Sequence, residues 1–402
     1  MPKFAQRMTD MEKSAQIIKK LFGSMNNPNL ITFSGGAISK ECLPVDKVRE
    51  IVNDIMRTDK RGYEALAYGP VQGVKDLREI IVSDLLAPKG VIATPENICI
   101  LTGGLEGLSL LCELFIEPGD TILVESPTFV HAIETFSMFQ AKIIPVDMDS
   151  NGIITEDLEA KIIKYKPKMV YVIPTFQNPT GITLSLERRK KIAELGSKYD
   201  CIILEDDPYR DIRYSGKDLL PIKAFDKTGH TVLANSFSKI FSPGSRLGYV
   251  FASDEITEKI LDAKSATNSH SSLLPQIICA EFFKRGYYPE QHKLLCDVHR
   301  EKRDKMIECI DKYFPEGTKR TLPDGGLFIW VELPGGLNAT ELLVEATTNS
   351  KIGVAYIAGE GFFSEGNGKG SNCMRLGFGS VTPEIIEIGI KRLGQLFNSK
   401  LK

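Results

Sequence analysis

Short apolar runs recur between residues 97 and 252, and several of the stretches between them have the pattern of amphipathic helices. The runs lie at 98–101, 121–124, 142–146, 169–173, 201–204, 231–234 and 247–252. Most are apolar at successive positions, which is typical of strands that are covered on both faces. Residues 186–199, by contrast, have a helical pattern with a basic outer face. Alternating strands and helices predict an α/β fold with a mainly parallel, seven-stranded sheet between helices.

The chain is longer than a single core normally grows. Its 402 residues exceed the roughly 250–300 at which one hydrophobic core stops growing, so we expect two domains. After residue 289 the pattern changes to a long charged helix at about 290–313, followed by an α+β region with strands at 327–332, 353–357 and 374–378 and a last helix at 383–397. We expect a large domain over residues 46–289 and a small domain over 290–402. An N-terminal segment, residues 1–45, should join the small domain.

Charge and composition exclude several classes of function. Lys and Arg total 50 and Asp and Glu total 52, for a net charge of -2, whereas nucleic-acid binding needs a basic bias. No stretch is apolar for long enough to span a bilayer, and residues 1–20 lack the apolar core of a signal peptide. The eight cysteines are scattered and the five histidines form no metal-like cluster. We therefore expect a cytoplasmic protein with free buried thiols, no metal, and no nucleic-acid or membrane partner.

A glycine pair follows the first apolar run and opens a helix. In open α/β sheets ligands bind beyond the carboxyl ends of the strands, and Gly103 and Gly104 fall at such an end. Amides at the N-terminus of a helix bind anions. Taken alone, such a pair is more often a turn than a phosphate site.

Two further strand ends carry polar side chains. Asn178 lies in a Gln-Asn-Pro-Thr-Gly sequence, which is either a plain turn or a fixed amide at the mouth of a site. The fifth run ends in Glu205, Asp206 and Asp207, and carboxylates at a buried strand end need a cationic partner, either a metal or a protonated ring nitrogen. We also expect the Ser126–Pro127 bond, the Asn178–Pro179 bond, or both, to be cis, since such bonds mark tight functional turns.

The sixth run ends in a lysine flanked by serines. Ser236, Ser238 and Lys239 follow it, and Arg246 comes seven residues after the lysine. The Ser-x-x-Lys pattern of penicillin-binding enzymes does not apply, because Ser-Asp-Asn is absent and the Lys-Thr-Gly at 227–229 precedes the serine. One chemistry uses all these strand ends together. A lysine amine condenses with an aldehyde, a carboxylate keeps a pyridine nitrogen protonated, and helix amides, hydroxyls and an arginine bind a phosphate.

These residues resemble those of the class I/II aminotransferases, which have fold type I and use pyridoxal 5′-phosphate. The resemblance extends from about Thr32 to the last helix. Its most specific parts are Asn178-Pro-Thr-Gly, Asp206-x-x-Tyr209, Ser236-x-Ser-Lys239 with Arg246, and Asn372-Cys-Met-Arg375-Leu. It implies a large cofactor-binding domain, a smaller α+β domain, and amino acid and 2-oxo acid substrates.

The resemblance also implies residue roles around the cofactor ring. Lys239 would hold the cofactor as a Schiff base and carry the proton between the substrate Cα and the cofactor. Asp206 would pair with the ring nitrogen, Asn178 and Tyr209 would hydrogen-bond the ring hydroxyl oxygen, and Phe129 would stack on the ring.

Further roles concern the phosphate and the substrate. The phosphate would be held by the Gly104 and Leu105 amides, Ser236, Ser238 and Arg246. Tyr68 resembles the tyrosine that reaches the phosphate of the neighbouring subunit, which implies a homodimer with shared sites. Arg375 would grip the substrate carboxylate, assisted by Asn178 and the Gly36 backbone. Gly103 and Glu106 depart from the family pattern, and this leaves the details of the phosphate cup open.

The opening of the chain resembles the aminoadipate, kynurenine and multi-substrate aromatic branch of the family. An amphipathic helix at about 10–22 would pack on the small domain or, over residues 8–22, form a lid with Arg7 as a movable cation. We therefore expect broad donor specificity, covering aminoadipate or glutamate and aromatic or branched aliphatic amino acids. If the lid is absent, the loop at 34–43 would set the specificity.

Two alternatives to transamination remain. The same cofactor performs β-elimination or decarboxylation in other proteins, although Arg375 favours keeping the carboxylate. Fused to winged-helix regions, this type of domain also serves as an effector-binding module in regulators. Only about thirty residues precede Ile31, which favours an enzyme.

Overall fold

The computed structural model describes residues 3–8, 27, 29–57 and 59–401. The strands are β1 (Ile31–Thr32), β2 (Ile98–Leu101), β3 (Thr121–Ser126), β4 (Lys142–Asp149), β5 (Gly152–Ile153), β6 (Met169–Val172), β7 (Ile202–Asp206), β8 (Thr231–Ser236), β9 (Gly248–Phe251), β10 (Lys319–Arg320), β11 (Phe328–Glu332), β12 (Val354–Ala355), β13 (Ile357–Ala358) and β14 (Cys373–Gly377). The helices are α1 (Val45–Arg57), α2 (Asp59–Leu66), α3 (Lys75–Ile80), α4 (Gly104–Phe115), α5 (Val130–Met138), α6 (Thr155–Tyr165), α7 (Leu186–Tyr199), α8 (Asp254–Thr267), α9 (Leu273–Lys284), α10 (Tyr288–Tyr313), α11 (Ala339–Thr348) and α12 (Pro383–Lys400).

The large sheet has eight strands in the order β2-β9-β8-β7-β6-β3-β4-β5. The five strands from β8 to β4 run parallel, and β9 is antiparallel to both of its neighbours. All seven predicted strands form, which confirms the α/β fold. The eighth strand, β5, was not predicted, because two residues paired in a hairpin with β4 are too short to show a period.

Helices cover both faces of this sheet. On one face Cys99 and Leu101 of β2 pack in a cluster with Leu108 of α4. On the other face Ile98 and Ile100 pack in a cluster with residues of α1, α3 and α9. Successive side chains on a strand point to opposite faces, so one apolar run supplies both cores. This explains why the runs show no alternation of apolar and polar residues.

The small sheet, β10-β11-β14-β13, is built from residues 319–377 and is antiparallel. Strand β1 pairs with β12 in parallel, with Ile31 opposite Val354. Residues 31–32 are thereby joined to the C-terminal part of the chain. The segment that follows β1 continues along β14, where the Gly377 amide donates to the carbonyl of Phe33 at 2.7 Å. Residues 31–36 therefore lie beside the strand that carries Arg375.

Three expectations from the sequence concern the rest of the chain. The predicted helix at 10–22 lies outside the described residues. All eight cysteines are buried and free, as expected. Within the described ranges, no helix combines the length and apolar character that crossing a membrane requires.

Candidate active site

A cavity opens where the carboxyl ends of the parallel strands meet the N-terminus of α4. Its lining is formed by Gly104, Leu105, Leu108, Phe129, Ile173, Asp206, Pro208, Tyr209, Ser236, Ser238, Lys239 and Arg246. Nine of these were predicted as cofactor-binding residues from the sequence. They come from five separate stretches of chain, which the sheet order brings together.

Lys239 occupies the loop after β8, and its amine points toward the N-terminal segment. Its Nζ donates a hydrogen bond to the carbonyl of Gly36 at 2.8 Å. Burial lowers the pKa of Lys239 to about 8, and the nearby cations Arg375 and Arg246 act in the same direction. About a tenth of this amine is therefore unprotonated at pH 7, a far larger share than for an ordinary lysine, and the unprotonated amine is the form that attacks an aldehyde.

Asp206 is the carboxylate that lines the cavity, whereas Asp207 faces away from it. The Tyr171 hydroxyl donates to Asp206 Oδ2 at 2.7 Å, and burial raises the pKa of Asp206 to about 7. Asp207 accepts from Arg210 Nε at 2.5 Å. Burial opposes its ionisation, but Arg210 and Arg189 outweigh burial and lower the pKa of Asp207. Asp207 therefore has its cationic partner within the protein, whereas Asp206 lines the cavity and can pair with a cationic group of a ligand.

The N-terminus of α4 and Arg246 form one end of the cavity. Gly103 has a φ of +88°, and a Cβ there would lie 2.2 Å from Arg246 Nη2. Glycine at this position therefore lets the guanidinium lie against the helix terminus, where the α4 amides also point. The Ser236 hydroxyl donates to the Ser238 hydroxyl at 3.0 Å. These cationic, amide and hydroxyl groups suit a phosphate.

Glu106, the second departure from the family pattern, has a structural role beside this end of the cavity. Its carboxylate accepts hydrogen bonds from the Thr102 amide and, at 2.6 Å each, from Lys264 Nζ and Asn268 Nδ2. Lys264 is fully buried. The glutamate thus pairs with an interior cation and ties the start of α4 to α8.

Arg375 belongs to β14 of the small sheet, and its charge acts on Lys239 and Tyr209, which line the cavity. Its guanidinium donates to Asn178 Oδ1 at 2.9 Å and to the carbonyl of Ser34 at 2.7 Å. The rings of Phe328 and Phe362 lie 4.0 Å and 5.2 Å from its Cζ. Burial lowers the pKa of Arg375 to about 10, so the group stays charged at pH 7. Its Nε is buried without a hydrogen-bond partner, as expected of a group that awaits an anionic ligand.

Asn178 contacts Tyr209, which lines the cavity. Asn178 Nδ2 donates to the Tyr209 hydroxyl at 3.3 Å. The Asn178–Pro179 and Ser126–Pro127 bonds are both cis, as expected. Phe129 is only partly buried and lines the cavity at the start of α5.

Two predicted residues lie away from this cavity. Tyr68 is 95% exposed, and its ring meets His270 edge-on with centroids 5.8 Å apart. Its ring contact among the described residues is thus with His270, which does not line the cavity. Arg7 lies beside Ile116 and Met138, near the amino end of β3 and thus at the far side of the sheet from Lys239. The role of Arg7 at the substrate side chain stays a prediction, because the rest of the proposed lid lies outside the described residues.

The sequence analysis missed three residues that support the site. Tyr171 had no signal, because a tyrosine within an apolar strand looks like any core aromatic residue. Glu125 and Gln177 form a buried pair in which Gln177 Nε2 donates to Glu125 Oε2 at 3.2 Å and to the carbonyl of Pro127 at 2.8 Å. A buried glutamate at the end of β3 and a glutamine beside Asn178 were the available signals. The pair joins the loop that carries Phe129 to the loop that carries Asn178.

Comparisons with known proteins agree with this geometry. A family model described as aminotransferase class I and II matches residues 29–393. The aromatic-amino-acid aminotransferase 1 of Thermococcus litoralis is 33% identical over 99% of this chain and 95% of its own length. The 2-aminoadipate transaminase of Thermus thermophilus is 31% identical over 96% and 95%. The crystal structure of Pyrococcus horikoshii kynurenine aminotransferase, in complex with PMP, has a TM-score of 0.92 at 34% identity, covering 99% of this chain and 98% of that one.

Proposed function

The chain belongs to the class I and II aminotransferases, and we propose that it moves the amino group of an aminoadipate, aromatic or branched-chain L-amino acid to a 2-oxo acid such as 2-oxoglutarate. It is a transaminase of fold type I that depends on pyridoxal 5′-phosphate. The observation that carries the proposal is a cavity lined by Asp206 and Lys239, which follow two neighbouring parallel strands, with the charge of Arg375 on β14 acting on Lys239.

The residues of the cavity fit this cofactor. Gly103 leaves room for Arg246 at the α4 terminus, so we assign the phosphate to Arg246, Ser236, Ser238 and the amides of Gly104 and Leu105. Asp206 is buried at the other end, where it would hold a proton on the ring nitrogen. Phe129 would cover one ring face, and Asn178 and Tyr209 would bind the ring hydroxyl oxygen. Bound there, pyridoxal phosphate supplies an electron sink for breaking the Cα–H bond of an amino acid.

The protein's own groups would then bind the substrate and move the proton. Arg375 would hold the α-carboxylate in its planar fork, with Asn178 and the Gly36 backbone beside it. Lys239 is the base that would take the proton from the substrate Cα and pass it to the cofactor, since its lowered pKa suits proton transfer near neutral pH. Holding the carboxylate on a fixed cation favours transamination over decarboxylation.

The donor class follows from the relatives and from the site. The relatives named above act on aromatic amino acids, 2-aminoadipate and kynurenine. Arg375 would bind the substrate α-carboxylate and Arg246 would bind the cofactor phosphate, so neither cation is left to bind the donor side chain. We therefore propose that the donor side chain is read by the loop at 34–43 and by residues of the N-terminal segment.

A donor screen tests this proposal. Each amino acid is mixed with the purified holoenzyme without a 2-oxo acid, and the loss of the visible absorbance of the bound cofactor is followed. Aminoadipate, glutamate, and aromatic or branched aliphatic donors should react fastest, with 2-oxoglutarate restoring the absorbance. A holoenzyme that reacts only with small donors such as alanine would contradict the proposed class. The Arg375→Lys variant is the control, because it should respond weakly to every donor.

We further propose that the active unit is a homodimer. Tyr68 is 95% exposed, and Tyr63 and Leu66 nearby are 75% and 71% exposed. Such a group of large exposed apolar residues is typical of a contact surface. Tyr68 would complete the phosphate site of the second subunit.

The domain bounds and the location of the protein stay predictions. The large domain would span residues 46–289 and the small domain residues 290–402, with the N-terminal segment 1–45 joining the small domain. The location would be cytoplasmic.

A further inference from the structure

A tyrosine behind the cavity is bonded directly to the carboxylate that would hold the ring nitrogen. Tyr171 lies on β6, opposite Leu204 of β7, and its hydroxyl reaches two residues further along β7 to Asp206 Oδ2 at 2.7 Å. We infer that Tyr171 is a positioning residue for the reaction, which fixes the orientation of Asp206 and favours its ionised form. This inference rests on the role proposed for Asp206.

The environment of Tyr171 leaves its hydroxyl little choice of partner. The side chain is fully buried, and the ring of Phe136 meets it edge-on at 5.4 Å between centroids. A buried hydroxyl without an acceptor is costly. With one carboxylate oxygen occupied by this bond, Asp206 presents the rest of the group to the cavity that it lines.

The other ionisable groups around Asp206 do not supply such a donor. Glu125 on β3 is fully buried, burial raises its pKa to about 8, and its hydrogen bonds are made with groups other than Asp206. The amide of Ile173 and Gln177 donate to it. Asp207 is paired with Arg210, and Lys239 donates to a backbone carbonyl. In the described part of the chain, Tyr171 is thus the hydroxyl that stabilises the charge on Asp206.

The bond has a consequence for the proton shared between Asp206 and a ring nitrogen. A donated hydrogen bond stabilises the carboxylate and leaves the proton on the ring. Without the hydrogen bond from Tyr171, the Asp206 carboxylate would be a stronger base and would draw the shared proton away from the ring nitrogen. A ring with less positive charge makes the linkage between Lys239 and the cofactor harder to deprotonate. The pH at which the visible absorbance of the holoenzyme changes would then move upward.

The test compares the Tyr171→Phe holoenzyme with the parent protein. The midpoint of the absorbance titration should rise by about one pH unit, since one bond to a charged group corresponds to roughly that shift. We expect kcat to fall about tenfold and KM to stay within about twofold. Tyr356→Phe is the matched control, because Tyr356 is also fully buried and donates to the carbonyl of Ala339 at 2.6 Å, away from the cavity. It should leave the midpoint unchanged.

Two further variants separate the possible failures. If Asp206→Asn shifts the midpoint and Tyr171→Phe does not, the inference about Tyr171 is overturned while the role of Asp206 stands. If neither shifts it, the role of Asp206 fails as well. Should Tyr171→Phe not fold, 3-fluorotyrosine at position 171 replaces it. Its more acidic hydroxyl is a stronger donor, so the midpoint should move downward, and an unchanged midpoint would again overturn the inference.

Discussion

Asn178 accepts a hydrogen bond from the guanidinium of Arg375 at 2.9 Å through its Oδ1 atom. Its Nδ2 atom donates to the Tyr209 hydroxyl at 3.3 Å. Because both ends of the amide are used, its orientation is fixed. One side chain therefore links the group proposed to bind the substrate carboxylate to a group proposed to bind the cofactor ring.

Replacing Arg375 with lysine should weaken the binding of every amino donor. Lysine keeps the charge but loses the planar fork that matches a carboxylate, so we expect KM to rise at least about tenfold for all donors. The cofactor absorbance should stay normal. The control is Arg189→Lys, because Arg189 is equally buried but donates to the carbonyls of Leu184 and Pro174. It should lower the melting temperature and leave KM unchanged, and equal KM effects in both variants would argue against a substrate role for Arg375.

Gly103→Ala should reduce the affinity for pyridoxal phosphate. The new Cβ would lie 2.2 Å from Arg246 Nη2 and would displace the guanidinium. Gly119→Ala is the matched control, since Gly119 has a φ of +93° with nothing within 4 Å of its Cβ. Both variants place a side chain at a positive φ, which costs about 1–3 kcal/mol and lowers the melting temperature. Only Gly103→Ala should raise the Kd for the cofactor, by about tenfold or more; equal Kd values would place Arg246 outside the phosphate site.

Asp206→Asn should lower kcat far more than it raises KM. The charge on Asp206 matters most when electrons flow into the ring, so we expect a fall of about a hundredfold in kcat. Asp207→Asn tests the neighbouring carboxylate, which is paired with Arg210. That variant should unfold at a lower temperature with a much smaller loss of kcat. The reverse order of the two kcat values would transfer the proposed role to Asp207.

The rate of cofactor loading should follow the ionisation of Lys239. Since burial lowers the pKa of this amine to about 8, the rate at which the apoprotein binds pyridoxal phosphate should rise about tenfold per pH unit below pH 8 and level off above it. Borohydride should then attach the cofactor to Lys239, as peptide mapping will show. Labelling of another lysine, or a rate that still climbs at pH 9.5, would refute the assignment. Lys239→Ala should retain some cofactor and lose turnover.

Mixed dimers test whether Tyr68 serves the neighbouring subunit. A Tyr68→Ala chain combined with a Lys239→Ala chain yields hybrids in which one site carries both changes and the other neither. Partial recovery of activity is expected after exchange. The hybrid fraction is measured with a tag on one chain, and no recovery at a confirmed hybrid fraction would place Tyr68 outside the partner's site.

The apolar runs predicted the large sheet well because each strand faces two cores. The run at 98–101 coincides with β2, and the helix at 186–199 coincides with α7, which begins after the Ser185 side chain accepts from the Arg188 amide. The predicted strand at 353–357 is divided instead into β12 and β13. They join different partners, β1 and β14, and local sequence carries no information on such pairing.

The site was predictable where a residue type is unusual for its place. Lys239 and Asp206 stand out as charges at the ends of buried strands. Gly103 was recognised as a departure, but its reason, the approach of Arg246, depends on a residue 143 positions away in the chain. Tyr171 is indistinguishable from a core residue until the register of β6 against β7 is known.

The segment after β1 contacts both of the groups on which the proposed reaction depends. Arg375 donates to the carbonyl of Ser34, and Lys239 donates to the carbonyl of Gly36, two residues further along. The short stretch between these carbonyls therefore links the position of the Lys239 amine to the position of the Arg375 guanidinium. An insertion or deletion between residues 34 and 36 would therefore move the amine and the guanidinium relative to each other, even though neither residue itself had changed.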